Sequence, residues 1–467
     1  MIALTLLMAN ASADPAAPPE SRRAGVEVVQ PRAELVGGLD AFAIFQTRTS
    51  ATDLASTNPF LDGQVVGTIG GTSGIAVDPE QVALNTEQRA SAFLTWKPEV
   101  LSGKAALSAA FEVDWAFGDR SYGTGGNTGG GFGADQVNLQ TRRLHADFFP
   151  RLGEGHDQHI AVGLQFVGDS VNDPTATGPD GLLRSGGRLM FWGSEAAGVT
   201  IYGRLHDGWG DRLRYRVGAY TLYEQGLGLP DDIWLAVADA QWHPYQATTV
   251  GIHAWYLQDR GAGTAGALGT GPTSALSELQ GGPRLDPYDG LAAPPEAEIH
   301  ADLVWLGLDG GFNADLTSGP VGLHGVGVAN LGKVYAPIVH DDAVRGGLLD
   351  GEARWRWLPG EGSVGRLEGL YTTGDTNDEQ SYTGIVTGNS YGVAGAVYAT
   401  HGTFLLFSDP GAINRMVSVV GDVSGGGRGV IATTASAAID PIPDRLTARV
   451  GGGVASTANF SGGYGNE

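Results

Sequence analysis

The segment Ala105–Phe117, AALSAAFEVDWAF, narrows what this chain can become more than any other. At period two, one face carries Ala105, Leu107, Ala109, Phe111, Val113, Trp115 and Phe117. The other carries Ala106, Ser108, Ala110, Glu112, Asp114 and Ala116. An unbroken apolar face opposite a face with two carboxylates is a strand set between two different solvents. The pattern recurs along the chain at a length of about ten residues, at which a tilted strand crosses a bilayer.

Arg212–Glu224 sets Leu213, Tyr215, Val217, Ala219 and Tyr223 against Arg212, Arg214 and Arg216. Val199–Asp207 sets Val199, Ile201 and Leu205 against Thr200, Tyr202, Arg204 and His206. Comparable runs are Val137–Phe149, Gln158–Val167, Leu189–Ser194, Trp234–His243, Thr249–Gln258, Glu298–Gly307, Gly351–Trp357, Val364–Thr373 and Leu446–Ser456. With weaker candidates they number roughly sixteen, spaced as in an antiparallel meander. Connectors are of two kinds. Pro244–Gln246 and Leu358–Gly362 suit tight turns, whereas Thr49–Glu87, Gly118–Asp135, Gly168–Leu183 and Arg260–Pro295 are long and rich in Gly, Pro, Asp and Thr. Segregated loop lengths are the asymmetry of an outer-membrane barrel. Trp96, Trp115, Phe148, Trp242, Tyr256, Trp355, Trp357 and Tyr371 lie near strand ends, where interfacial girdles would place them.

Composition agrees. Of 467 residues 75 are glycine, cysteine is absent, and no apolar run reaches the ~18 residues of a spanning helix. Ile2–Met8 with Ala11-Ser12-Ala13 reads as the end of a secretory signal, which gives a signal peptide over 1–13, a Pro-rich disordered stretch over 14–32 and one barrel domain over 33–467. The net charge of −23 argues against nucleic acid as a partner. Only Lys97, Lys104 and Lys333 are lysine among 28 basic residues. Arginine holds its charge at any pH and forks onto carboxylates.

Catalytic patterns are weak. Gly388–Gly392, GNSYG, matches a nucleophile elbow, but no helical pattern follows it and the acid and histidine come in the wrong order. His156 and His159 flank Asp157 on an expected turn without a third metal ligand nearby. Asp375, Asn377, Asp378 and Glu379 have calcium-loop chemistry but lack the glycine and distal glutamate of an EF-hand. Gly123–Gly133 has no basic residue or helix start to make it a phosphate cradle. An enzyme is not expected, nor is a cofactor.

The remaining feature is charge on the faces opposite the apolar ones. Expected pore-lining residues are Glu112, Asp114, Arg143, Asp147, Arg204, Arg214, Arg216, Glu352, Arg354, Arg356, Arg366, Glu368, Arg445 and Arg449. Arginines outnumber acids in this set, so the expectation is an electropositive lumen suited to anionic solutes.

The C-terminal third resembles the alginate-export-type outer-membrane porins. The resemblance is carried by Leu367–Asp375 (LEGLYTTGD), Tyr382–Gly392 (YTGIVTGNSYG), Thr400–Phe407 (THGTFLLF) and Asn414–Asp422 (NRMVSVVGD). It implies a monomeric β-barrel of about eighteen strands whose arginine-rich lumen passes anionic polysaccharide or other small solutes. Such barrels close on a terminal aromatic strand, whereas this chain stops at GGYGNE, so one or two further strands are expected beyond it. The expectation is an all-β, single antiparallel up-and-down transmembrane barrel of about 16–18 strands in the outer membrane of a Gram-negative bacterium. It would pass anionic solutes passively, with membrane lipid as its surroundings. The alternative is a secreted soluble all-β carbohydrate-binding or adhesive protein.

Overall fold

The computed structural model describes residues 4–7, 33–35, 38–53, 65–66, 75–76, 82–98, 104–117, 138–150, 156–169, 193–205, 213–223, 232–245, 247–260, 300–314, 316–335, 342–358, 363–376, 381–386, 429–442 and 446–459. The short pieces β1 (Leu4–Leu7) and β2 (Ala33–Leu35) precede the first long strand, β3 (Leu39–Asp53). A two-residue pair, β4 (Val65–Val66) and β5 (Ile75–Ala76), lies in the connector that follows. The wall continues through β6 (Val82–Trp96), β7 (Ala105–Phe117), β8 (Asn138–Phe148), β9 (His156–Gly168), β10 (Gly193–Leu205), β11 (Leu213–Tyr223) and β12 (Ile233–Tyr245). Then come β13 (Thr248–Asp259), β14 (His300–Phe312), β15 (Val321–Tyr335), β16 (Asp342–Arg356) and β17 (Val364–Thr372). After the short β18 (Ser381–Tyr382), β19 (Val430–Ile442) and β20 (Leu446–Thr457) complete the described wall.

Each long strand pairs antiparallel with the next in sequence, from β3 through β17 and on to β19 and β20, within one 18-stranded sheet. β1 and β2 lie along the other edge of β3, at Gln46–Thr49 and Leu39–Ala41. The fold is all-β, and no helix is found among the described residues. No second sheet covers either face of this wall among the described residues, yet one face is largely buried along β12 to β17 and β19. A single sheet achieves that by curling around its own inward side into a barrel.

The two faces separate by residue parity. Along β12 the odd positions Ile233 to Gln241 are buried and the even ones face out; along β13 Gly251, His253, Trp255, Leu257 and Asp259 are buried between exposed neighbours. Outward side chains include Val217, Ile252, Leu308 and Leu349, the last two 66% and 62% exposed. Inward ones include Asp239, His253, Asp309, Asp350, Glu352 and Glu368, each at most 5% exposed. A water-soluble core has the opposite arrangement. Apolar residues outward and charged residues inward are what a wall in hydrocarbon requires.

Connector lengths sort by end. Connectors at one end span residues 97–104, 149–155, 206–212, 246–247, 313–320, 357–363 and 443–445, none longer than eight residues; those at the other include 54–81, 118–137, 169–192, 260–299 and 373–429, with 224–232 and 336–341 as its two short ones. Exposed aromatics mark the short-turn end at Trp96, Phe148, Trp242, Tyr245, Phe312, Trp355 and Trp357, and the long-connector end at Trp234, Tyr256 and Tyr371.

Several boundaries differ from the sequence expectation. Leu189–Ser194 and Val199–Asp207 are not two strands: Gly193–Leu205 is continuous across Ala196–Gly198, whose small residues hide the alternation. The expected Thr49–Glu87 connector is shorter, because Thr49–Asp53 pairs with Val82–Thr86. The first long strand begins at Leu39, and Ala33–Leu35 folds back on it. β3, β6, β15, β19 and the first half of β16 have no counterpart among the named runs. His156 and His159 start a strand and not a turn. His159 stacks on Tyr202 with centroids 4.8 Å apart.

The outward face yields a direct test. In lipid vesicles, Val217→Arg is expected to cost about 2–4 kcal/mol of folding free energy, read from denaturant unfolding. A wall facing water would absorb the change within roughly 0.5 kcal/mol.

Candidate functional site

The inward face divides into two zones. Toward the long-connector end of β14 to β16 it is apolar: Leu303, Trp305, Val328, Val344 and Leu348 are all buried there, whereas Asp259 is buried at the same end of β13. Their described cover is β18 and the residues after it. Ser381–Tyr382 runs parallel to Ala343–Val344, and Ile385 and Val386 are fully buried. Trp305 Nε1 donates to the Val386 carbonyl at 2.8 Å, and the Val386 amide donates to Asn330 Oδ1 at 3.0 Å. A side chain at Gly346 would meet the Gly384 carbonyl oxygen at 2.6 Å, so this close approach requires glycine. Part of the 373–429 connector thus folds against the inside of the wall. Polar-in alternation, expected from sequence, gives way to apolar residues over this β14–β16 patch.

There a ladder of charge crosses β11 to β15. Arg216 donates through Nε and Nη2 to Asp239 Oδ2, at 2.8 and 2.5 Å. Trp255 Nε1 donates to Asp239 Oδ1 at 2.8 Å, and the Arg216 guanidinium lies 5.4 Å from the Trp255 ring centre. His253 bridges two carboxylates, with Nδ1 2.8 Å from Asp239 Oδ1 and Nε2 2.8 Å from Asp309 Oδ1. Both contacts are hydrogen bonds when each ring nitrogen bears a hydrogen, since a carboxylate only accepts. His324 Nε2 stands 3.7 Å from Asp309 Oδ2. Gly251 lies directly opposite Asp309 in the register, and a Cβ there would collide with the Asp309 carboxylate. The missing side chain is what lets Asp309 lean across to His253.

Two further groups flank this ladder. Thr200 Oγ1 lies 2.6 Å from the Tyr220 hydroxyl and donates to Gln165 Oε1 at 2.7 Å. On the other side Glu352 accepts from Arg354 through both oxygens, and Arg366 Nε is 4.0 Å away. Arg354 and Arg356 also donate to the carbonyls of Ala314 and Leu316 at 3.1 and 3.2 Å, which fastens the 313–320 turn to β16.

The residues singled out by sequence are placed as follows. Arg143, Asp147, Arg204, Arg214, Arg216, Glu352, Arg354, Arg356, Arg366 and Glu368 stand on the inward parity of their strands. Arg143 lies over the Phe166 ring at 5.6 Å, and Asp147 pairs with His145 at 3.2 Å. Glu112, Asp114 and Arg449 are placed by backbone register, opposite Ser91, Arg89 and Ala438. Arg445 lies outside the described residues, as do Gly123–Gly133, Gly388–Gly392, Asn377, Asp378 and Glu379. Asp375 is described: its carboxylate accepts from the Thr383 amide at 3.2 Å. Sequence reasoning missed Asp239, His253, Asp309, His324 and Asp350, which share the inward face and add acid to it. Parity along Thr249–Gln258 could have found His253, but no spacing ties it to Asp309, 56 residues away.

No family model matches the chain, and no curated protein matches it. Among solved structures it is similar to the Salmonella typhi OmpF complex with daunomycin, at 10% identity and a TM-score of 0.39, covering 90% of this chain and 98% of that one. It is also similar to the outer membrane channel DcaP of Acinetobacter baumannii, at 10% identity and a TM-score of 0.40, covering 89% and 96%. Pseudomonas putida OprB is matched at 9% identity and a TM-score of 0.33, covering 90% and 93%. Each is a likeness of outline. Strand register and the polarity of the two faces are the stronger observations.

The ladder predicts its own weak point. Asp239→Ala strands Arg216 and His253 without their shared acceptor and is expected to destabilise the barrel by about 3–5 kcal/mol, measured as a shifted urea midpoint. Asp239→Asn, which keeps one acceptor oxygen, is expected to cost less.

Proposed function

We propose that this chain is an outer-membrane channel for passive passage of small polar solutes, with a preference for anions. One observation carries the reading: Ile252, Leu308 and Leu349 face out on strands whose inward positions hold His253, Asp309 and Asp350. Fifteen of the strands are nine or more residues long. A ring of about sixteen strands is too wide for its own side chains to fill, so its interior is a channel, narrowed where a connector folds in. Within the 373–429 connector, the stretch Ser381–Val386 is that narrowing element.

Anion preference is supported by where arginines meet. Arg204 and Arg214 stand directly opposite each other across β10 and β11, with Arg216 next along the inward face and Asp157 of β9 opposite Arg204 on its other side. Like charges directly opposite are unfavourable in a sheet, and an anion between them relieves the repulsion. The acids of the ladder are occupied by Arg216 and His253, so the wall's negative charge is partly neutralised there. Alginate-like uronates are the polymeric anions that the C-terminal resemblance implies. Nothing in this mechanism makes or breaks a covalent bond.

Planar bilayers test it. The purified chain should give stable ohmic conductance and, in a salt gradient, a reversal potential on the anion side. Arg204→Gln with Arg214→Gln should move that potential toward cations with conductance retained. Cation selectivity in the parent chain would overturn the anion preference, and a protein that stays in the soluble fraction would overturn the channel.

A further inference from the structure

The outward face carries a feature that passage of solutes does not use. Among the described residues, every basic side chain on the outward parity at the long-connector end falls on four adjacent strands, β13 to β16. Arg260 follows the end of β13, Lys333 is on β15 and Arg345 is on β16. Tyr256 and Tyr335 stand among them, the Lys333 ammonium lying 4.6 Å from the Tyr335 ring centre. One acid, Asp302, sits between. It accepts from Arg260 Nη2 at 2.9 and 3.0 Å and from the Tyr256 hydroxyl at 2.7 Å. Arg260 Nη1 donates to the carbonyls of Asp259 and Ala301 at 3.0 Å, which fixes its position on the rim. Three cations against one carboxylate leave a positive patch on a chain of net charge −23.

Directly below it the wall is hollowed. One register row runs Tyr256, Val304, Leu331, Arg345; the next toward the membrane centre runs Ala254, Leu306, Ala329, Gly347. This row lies in a groove of about 1030 Å³ lined on the outward parity by Val217, Ile252, Leu308, Leu349 and Tyr371 and also by Arg216, Asp239, His253 and Leu348 of the strands that form its floor. A positive rim above an apolar trough has the shape of an amphiphile with an anionic head.

We infer that Arg260, Lys333 and Arg345, with the groove at Ala254, Ala329 and Gly347, bind one phosphorylated lipid of the leaflet on the long-connector side, its phosphates on the rim and an acyl chain in the trough. This rests on the membrane reading above. The four strands span about 14 Å, enough for a headgroup bearing two phosphates. Interfacial cations attract anionic headgroups, and a tyrosine flanking them belongs at the same depth. Phosphate charge supplies the attraction, and the groove supplies the preference for a lipid over a free anion.

The full chain, purified in a non-ionic detergent, is titrated with diphosphorylated lipid A, with the same lipid lacking its phosphates, and with inorganic phosphate, bound lipid being read by native mass spectrometry. Lipid A should bind, and the dephosphorylated lipid should bind far more weakly. The triple variant R260Q/K333Q/R345Q should lose about a hundredfold in affinity, from three interfacial cations acting together. Ala329→Trp fills the trough with the charges intact and should also weaken binding, and inorganic phosphate should not compete. Each variant is first checked for the gel shift between heated and unheated samples, and the single change Arg345→Gln stands in where the triple one fails to fold. Unchanged binding by the charge variants, equal binding without phosphates, or competition by inorganic phosphate overturns the proposal. A parent chain that conducts but holds no lipid A refutes this site alone. One that neither shifts on gels nor conducts refutes the membrane reading and the site with it.

Discussion

Everything in this barrel follows from the need to satisfy backbone hydrogen bonds where no water is available. A strand in hydrocarbon cannot leave its N–H and C=O groups open, so each must pair with its neighbours along its whole length. The up-and-down order from β3 to β20 does this by pairing each long strand with the next in sequence; among the described residues β20 pairs with β19 alone, and the other edge of β3 meets only the short β1 and β2. Once the backbone is satisfied, side chains decide only which face looks where. The chain spends its apolar residues outward and its charges inward.

Burial inside such a wall has a consequence that surface charges escape. Asp239 and His253 are removed from bulk water, and each is tolerated because it meets an opposite charge or a donor at hydrogen-bond distance. The arrangement is cooperative in geometry. Asp309 reaches His253 because Gly251 beside it has no side chain, so a residue with no chemistry of its own sets the position of a charged one. Glycine's abundance, 75 residues, is thus not only a matter of turns. It also makes room for large inward groups, as where Tyr220 lies across Gly198 and Gly218.

Much of the wall was legible in the sequence because a period of two is a strong signal wherever large and polar residues alternate. RLRYRVGAYTLY announces its two faces, and the structure has Val217 out and Arg216 in. The signal fades where glycine or alanine replaces the large residue. VGLHGVGVANLGKVY and VIATTASAAIDPI were overlooked for that reason, although each forms a full strand. It also fails where both faces are apolar. Leu303 and Trp305 alternate with Val304 and Leu306, and only the packing of Ile385 and Val386 distinguishes inside from outside. The ladder was illegible for another reason. Arg216, Asp239, His253 and Asp309 come from four strands, and register, not spacing, brings them together.

Register also changes what the net charge means. A total of −23 describes the chain as a whole, but a solute inside the barrel meets only the side chains facing it, one row at a time. Counting the described inward face adds Asp239, Asp259, Asp309 and Asp350 to the acids read from sequence, so arginine does not dominate by number. In the channel proposed above, selectivity then comes from position. A carboxylate held between a guanidinium and an imidazole projects little field, whereas like charges in register, as Arg204 and Arg214 are, add theirs, reduced on one side by Asp157 opposite Arg204. The same logic applies outside the wall, where three cations on adjacent strands outweigh one aspartate whatever the rest of the chain carries. Local pairing, not composition, decides which sign of charge each surface of this barrel presents.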